Sequence, residues 1–331
     1  MNKIYKLKMS LTQLELDNLK KWEYKVVDKS ITTEYFKKFW NKCESFISPK
    51  ISPNLITFTG FLLLFTNYIL SSLYVDSYPT FTVLYVAIST HIYSHLDAID
   101  GIHARNTKTS SPLGELIDHI CDTIGLIFII LSMCNIFKID DINVLTYTTL
   151  TGMLGFQFFH IQAYLYKGVE FGKYTGPTEL LSIYSMIILL KVFINISDNE
   201  YVYIINILSP YVLLLFFGGN IYYMYTRLKY YIFNILIFTI LYTIIGFSIL
   251  FNQDYTIYYL FNICLNVCVL TCDFIISKMA NKNINIFLVK IFLLSRFNDI
   301  LGICMSIYYI ISSLKEIANF MGLNIILHNL K

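Results

Sequence analysis

Residues 94–125 read SHLDAIDGIHARNTKTSSPLGELIDHICDTIG. Five acidic residues, three histidines and an arginine gather there, in a chain of 331 residues that is 56 % hydrophobic and only 14 % charged. Soluble domains carry about 25 % charged residues, and the mean hydropathy here is +0.58. Such a chain must be read against lipid, and its charge cluster needs a reason. The expected fold is all-α: a polytopic integral membrane protein of about nine to ten transmembrane helices preceded by an interfacial amphipathic helix. The net charge of +3 is small, and no basic stripe is interleaved with aromatics, so a nucleic-acid partner is not expected. The seven cysteines show neither CxxC nor Cys/His metal spacing. Cys264, Cys268 and Cys272 recur every four residues in an apolar run and read as small helix-packing side chains. Residues 1–50 are polar and lysine-rich, without the short apolar core of a signal peptide, so the first apolar run is expected to be a permanent span.

A crossing helix needs about 20 mostly apolar residues. Spans are expected at 53–75, 81–97, 117–137, 144–166, 180–196, 203–225, 231–251 and 255–276. A last apolar region, 286–312, is interrupted by Ser295, Arg296, Asn298 and Asp299 and reads as one long helix or two short ones. Basic loops alternate with acidic ones. The N-terminal segment, Arg105/Lys108, Lys167/Lys173, Arg227/Lys229 and Lys278/Lys282 fall on one side, and Asp76, Asp140/Asp141, Asp198/Glu200 and Asp254 on the other. The positive-inside rule then puts the quoted stretch at the cytosolic surface. Before the first span, Phe36, Phe39, Trp40, Cys43, Phe46 and Ile47 recur at helical spacing opposite Lys37, Lys38, Asn41 and Lys42, the pattern of a helix lying in the bilayer interface. Three regions follow: a cytosolic N-terminal segment (1–50), a catalytic set of helices (51–166) and a C-terminal set (167–331) for lipid access and dimerisation.

Asp97 and Asp100 are three apart at the end of the second span, and Asp118 and Asp122 four apart at the start of the third. Each pair shares a helix face, and the short connection predicts antiparallel neighbours whose acidic faces converge. Four carboxylates at a membrane boundary repel one another, and ionisable residues at that depth point to function. Divalent cations resolve the conflict, and oxygen ligands without convergent cysteines favour magnesium or manganese, with calcium a competitor. Gly101 and Gly114 leave room for a phosphate or backbone to approach, and Arg105 offers a planar donor fork suited to phosphate. Two ions about 3.5–4 Å apart clamp a diphosphate in such sites. The chemistry indicated is phosphoryl transfer at a bilayer surface.

The pattern Asp97-x-x-Asp100-Gly101-x-x-Ala104-Arg105, eight residues, then Gly114-x-x-x-Asp118-x-x-x-Asp122 resembles the signature of the CDP-alcohol phosphotransferases. The runs LDAIDG, ARNT, SSPLGELIDH and CDT, with SPNLITFTG at residues 52–60, are similar to the eukaryotic choline/ethanolamine phosphotransferase branch. The resemblance is strong over roughly residues 11–125, with weak echoes near His160 and at Thr178-Glu179. It implies transfer of phosphoethanolamine or phosphocholine from CDP-ethanolamine or CDP-choline to diacylglycerol, with release of CMP. It further implies that Asp97, Asp100, Asp118 and Asp122 bind Mg2+ or Mn2+, two ions in all, and that Gly101, Ala104, Arg105 and Gly114 lie along the nucleotide diphosphate.

Asn54 matches a Pro-Asn of the family's first helix, as a cytidine or phosphate contact; on its own it reads equally as a helix cap. His119 follows a metal ligand and matches a histidine of this branch, and a group titrating near neutrality suits removal of the hydroxyl proton. Asp122 is the alternative base. His91, His95, His103, His160 and His328 are expected to make structural hydrogen bonds, with His91, His95 and His103 near enough to the acids to support their ligands instead, and Lys191 to snorkel or pair. The resemblance also implies a homodimer in the endoplasmic reticulum or Golgi membrane, its site facing the cytosol. The alternatives are another CDP-alcohol phosphatidyltransferase, such as a phosphatidylinositol synthase, or a membrane cation transporter. A transporter would hold its acids near the midplane on broken helices.

Overall fold

The computed structural model describes residues 11–174, 176–193 and 256–325. The expected spans 203–225 and 231–251, the end of the span at 180–196, the acidic loop at Asp198/Glu200, the basic loop at Arg227/Lys229, Asp254 and His328 lie outside the described residues.

Five of the described helices start at a residue whose side chain caps the first turn. Thr12 forms a reciprocal capping box with Glu15 ahead of α1 (Gln13–Lys20). After β1 (Val26–Asp28) come α2 (Ile31–Glu44) and α3 (Pro53–Tyr74), the latter with proline in its first turn. Helix α4 (Pro79–Asn106) is 28 residues long, so Asp97 and Asp100 lie inside it rather than at its end. Its length is about 42 Å. The connection to α5 is therefore only residues 107–111. Helix α5 (Pro112–Ile136) begins five residues before the expected 117, because the Ser111 hydroxyl accepts from the Gly114 amide and Pro112 tolerates the first turn. Asp141 caps α6 (Ile142–Tyr166) by accepting from the Asn143 and Val144 amides. Then follow β2 (Val169–Phe171), α7 (Pro177–Phe193) and α8 (Ile257–Ala280), the last capped by Thr256.

The region 286–312 resolves into two helices, α9 (Phe287–Ser295) and α10 (Asp299–Met321), with Asn298 capping the second by accepting from the Leu301 amide. The break is held from α8. The Asn262 amide donates to the Ser295 carbonyl and to Asp299, and the Asn266 amide donates to the Ser295 hydroxyl. Four described helices, α3, α5, α8 and α10, are long and apolar enough to cross a membrane. The chain is an all-α polytopic membrane protein; among the described residues there is one two-stranded parallel ribbon, β1 on β2, that alternation of hydrophobic residues did not signal.

Helix α3 packs against both α4 and α5 and wedges between them. The two acidic helices are thus joined through α3 rather than pressed together along their length. Gly60 and Gly125 make this possible: a Cβ on Gly60 would lie 3.0 Å from the Tyr93 ring, and one on Gly125 2.7 Å from Leu64. The centre of the other half is α8, where Cys264, Cys268 and Cys272 are buried free thiols packed among leucines, isoleucines and phenylalanines. The N-terminal segment is stitched to this half: the Leu11 amide donates to Glu316, and the Asn18 side chain donates to the Ala280 carbonyl.

Helix α2 turns only part of its apolar face inward. The Trp40 indole donates to His95 Nδ1 at 2.9 Å, and Phe36 packs its ring on His95 and His91. Phe39 and Phe46, with Tyr35, remain exposed. At its end, Glu44 accepts from His103 Nδ1 at 2.9 Å and from the Asn106 amide at 2.7 Å. His103 Nε2 faces the Ile51 carbonyl at 3.0 Å. His103 and Glu44 pin α2 to the end of α4; His95 and His103 make the expected structural hydrogen bonds, and the His91 ring packs edge-on against Phe36 and His95. Lys191 lies over the Phe137 ring.

Candidate active site

Three helices bring the acids together. From α4 come Asp97 and Asp100, and from α5 Glu115, Asp118 and Asp122; α3 supplies the Thr57 hydroxyl, which donates to Asp100 Oδ2 at 2.5 Å. The Tyr93 hydroxyl of α4 donates to Asp122 Oδ1 at 2.6 Å and ties the two acidic helices at the site itself. Asp118 lies in the electrostatic field of Asp122, Asp100, Asp97 and Glu115, and Asp97 in that of Asp122 and Asp100. The Tyr93 bond thus links the two acidic helices, while the close cluster of ligand atoms is drawn from α5 alone.

The tightest group is Asp118, His119 and Asp122, whose ligand atoms lie within 4.8 Å of one another. Asp118 Oδ1 and His119 Nδ1 are buried without a hydrogen-bond partner, and the nearest approach of His119 to Asp122 is 3.7 Å. Buried polar atoms are rarely left without partners. The orphaned Asp118 oxygen, with three further carboxylates near it, fits a hard divalent cation, because carboxylate oxygens suit magnesium or manganese. The His119 ring stands edge-on to the buried His160 ring at 4.8 Å, so α6 backs the site.

The glycines sit where contact is close. A Cβ on Gly114 would lie 3.4 Å from Asn54 Oδ1 and from the Ser111 hydroxyl, and one on Gly101 would lie 3.3 Å from the Arg105 guanidinium. Arg105 is exposed at the end of α4, with Ala104 one residue before it. Asn54 is not the cap of α3. Ser52 holds that position, Asn54 is the second helical residue, and its amide donates to the Ile325 carbonyl at 2.7 Å.

Four residues that spacing did not single out complete the site. Glu115 is held by two donors, the Trp22 indole at 2.6 Å and the Lys278 ammonium at 2.5 Å. Lys278 had read as a loop charge marking orientation; it is 2 % exposed, inside α8, and its ammonium lies over the rings of Trp22 and Tyr24. Lys282 likewise pairs internally, with the buried Asp273 at 3.0 Å. Tyr24 keeps 42 % of its surface open, yet burial of its hydroxyl end, then the fields of Glu115, Asp118, Asp97 and Asp122, push its phenol above the usual range. A phenol so placed stays a proton donor toward the acids. The only sequence signal for Glu115 was its place inside the motif; Trp22, Tyr24 and Lys278 had none.

Residues 50–217 match the CDP-alcohol phosphatidyltransferase family. Cholinephosphotransferase 1 of Gallus gallus is 31 % identical over 199 residues, covering 58 % of this chain and 58 % of that protein. Cholinephosphotransferase 1 of Saccharomyces cerevisiae is 29 % identical over 175 residues, 51 % of this chain and 44 % of the relative. Choline/ethanolaminephosphotransferase 2 of Arabidopsis thaliana is 40 % identical over 112 residues, 32 % of this chain and 29 % of the relative. The chain spans about half the length of the curated relatives it matches. The matched stretch covers half of the sequence and contains every aspartate of the convergent site, and the chain belongs to the CDP-alcohol phosphatidyltransferase family.

Proposed function

We propose that the protein transfers phosphoethanolamine or phosphocholine from CDP-ethanolamine or CDP-choline to diacylglycerol, giving phosphatidylethanolamine or phosphatidylcholine and CMP. The observation that carries this reading is the acidic group Asp118, His119 and Asp122 on α5, tied to α4 by the Tyr93–Asp122 hydrogen bond and lying in the field of Asp97 and Asp100, in a chain whose relatives are named cholinephosphotransferase and choline/ethanolaminephosphotransferase.

The diacylglycerol oxygen attacks the phosphorus that carries the alcohol, the bond to the bridging oxygen breaks, and CMP leaves with that oxygen. Asp97, Asp100, Asp118 and Asp122 hold magnesium or manganese, two ions in this reading. A bound cation of this kind neutralises the diphosphate and its developing charge. Arg105 reaches the phosphates from the exposed end of α4, and Gly101, Ala104 and Gly114 keep the approach open. Asn54, beside Gly114, contacts the nucleotide. His119 takes the hydroxyl proton; its Nδ1 is unpartnered, and Asp122, already accepting from Tyr93, is the poorer base. The protein acts as a homodimer in the endoplasmic reticulum or Golgi membrane with this site at the cytosolic surface, and the C-terminal helices admit diacylglycerol from the bilayer.

Purified full-length protein in lipid nanodiscs, offered both CDP-alcohols with diacylglycerol, should release CMP one for one with phospholipid, and Asp118→Ala should abolish release while still inserting. Release that persists in excess chelator, or no release from either nucleotide, overturns the reading.

A further inference from the structure

Five carboxylates crowd the start of α5 and the facing part of α4, and among the described residues Glu115 is the one with an ion pair from outside the motif. Glu115 accepts from Lys278 through one oxygen and from Trp22 through the other. The ammonium is closed from water: Lys278 is 2 % exposed, and its Nζ lies 5.3 Å from the Trp22 ring centroid and 5.7 Å from that of Tyr24. A buried lysine is tolerated when its charge is paired and its hydrogen bonds are met. Lys278 lies on α8, beyond residues 50–217 that match the family, and Trp22 and Tyr24 precede them. The corner is thus assembled by three parts of the chain, two of them outside the family stretch. Its charge reaches the site directly, because Glu115 acts electrostatically on Asp118.

We propose that Lys278 is a positioning residue that sets the charge of the acidic site: paired with Glu115, it cancels the fifth carboxylate, so that a divalent cation meets the four aspartates alone. The inference rests on the reading of those aspartates as cation ligands. Removing either partner by itself changes the local charge by one unit with opposite sign, while removing both restores it. Unit charges within several ångströms at a partly buried site interact by kilocalories, which is at least tenfold in a binding constant.

Direct Mn2+ binding to the purified full-length protein in nanodiscs, measured by electron paramagnetic resonance without substrate, tests this. Glu115→Gln, which leaves the ammonium uncancelled, should weaken Mn2+ binding about tenfold, and the double variant Glu115→Gln/Lys278→Met should return to within about twofold of the unaltered protein. A merely structural role would leave the double variant as weak as the single or weaker, and that result, or equal binding by all three proteins, overturns the proposal. Thermal unfolding of each variant identifies loss of fold; if Glu115→Gln does not fold, Lys278→Met, which leaves the carboxylate uncancelled and should tighten Mn2+ binding about tenfold, supplies the same comparison against the double variant. If the unaltered protein binds no Mn2+, the ligand reading itself fails, which is a separate outcome from failure of the rescue.

Discussion

His119 has an unpartnered buried ring nitrogen beside two aspartates and a second imidazole edge-on to it. If that nitrogen receives the hydroxyl proton, His119→Ala should lower turnover by about 10²–10⁴-fold, the usual loss for a general base. Affinity for the CDP-alcohol, measured by direct titration, should change little, because in the proposed mechanism that substrate is held by the cation ligands and Arg105. Near-normal turnover in the variant would transfer the role to Asp122. Thr57 makes a gentler probe of the same site. Its hydroxyl orients Asp100, so Thr57→Val should weaken Mn2+ binding several-fold without unfolding the protein, since a single hydrogen bond to a charged group contributes about 1.5–3 kcal/mol. Unchanged binding would show that Asp100 keeps its orientation without Thr57.

Two helix junctions carry predictions of their own. The link of α2 to α4 depends on Glu44, whose carboxyl is held below its ordinary value of 4.5 by hydrogen bonds from His103 and Asn106. The folded value is depressed, so the link's contribution is present above pH 4.5 and is lost as the pH falls through the lower, folded value. The thermal midpoint of the protein should therefore drop on acidification below pH 4.5, and Glu44→Gln should lower the midpoint at neutral pH while flattening that acid decline. A decline of equal steepness in the variant would place its origin elsewhere. The break between α9 and α10 depends on Gly302, where a Cβ would lie 2.2 Å from Asn262 Oδ1 and 2.5 Å from Ser295 Cβ. Gly302→Ala must displace the asparagine that binds the Ser295 carbonyl and Asp299. It should cost about 1–3 kcal/mol, typical of overpacking, read as a lower thermal midpoint; an unchanged midpoint would mean that Asn262 moves freely.

Across the whole molecule the helix α4, about 42 Å long, separates the acidic site from the opposite end, where Asp76 and Lys138 pair at the surface. The proposed orientation, taken from the positive-inside rule, puts the site's end in the cytosol. With Cys43, Cys121 and Cys304 replaced by serine, the remaining thiols are buried. On that background Ser110→Cys should react with an impermeant reagent added outside sealed microsomes, and Ser77→Cys should react only after permeabilisation. Equal labelling of both would reverse or remove the assigned orientation.

The sequence by itself determined what depends on near neighbours in the chain. Apolar runs of membrane-spanning length, the i,i+3 and i,i+4 spacing of the aspartates and the glycines of the motif are local periodicities, and helix geometry alone carries them into shared faces. Only the tertiary structure decided which distant groups meet. Lys278 and Glu115 are 163 residues apart, and an isolated lysine at the end of an apolar run looks the same whether it faces water or a buried acid. The wedge of α3 between α4 and α5, the β1–β2 ribbon and the polar brace at the α9–α10 break have the same origin. Each rests on packing between segments whose mutual register is set by the fold as a whole, and no local pattern encodes it.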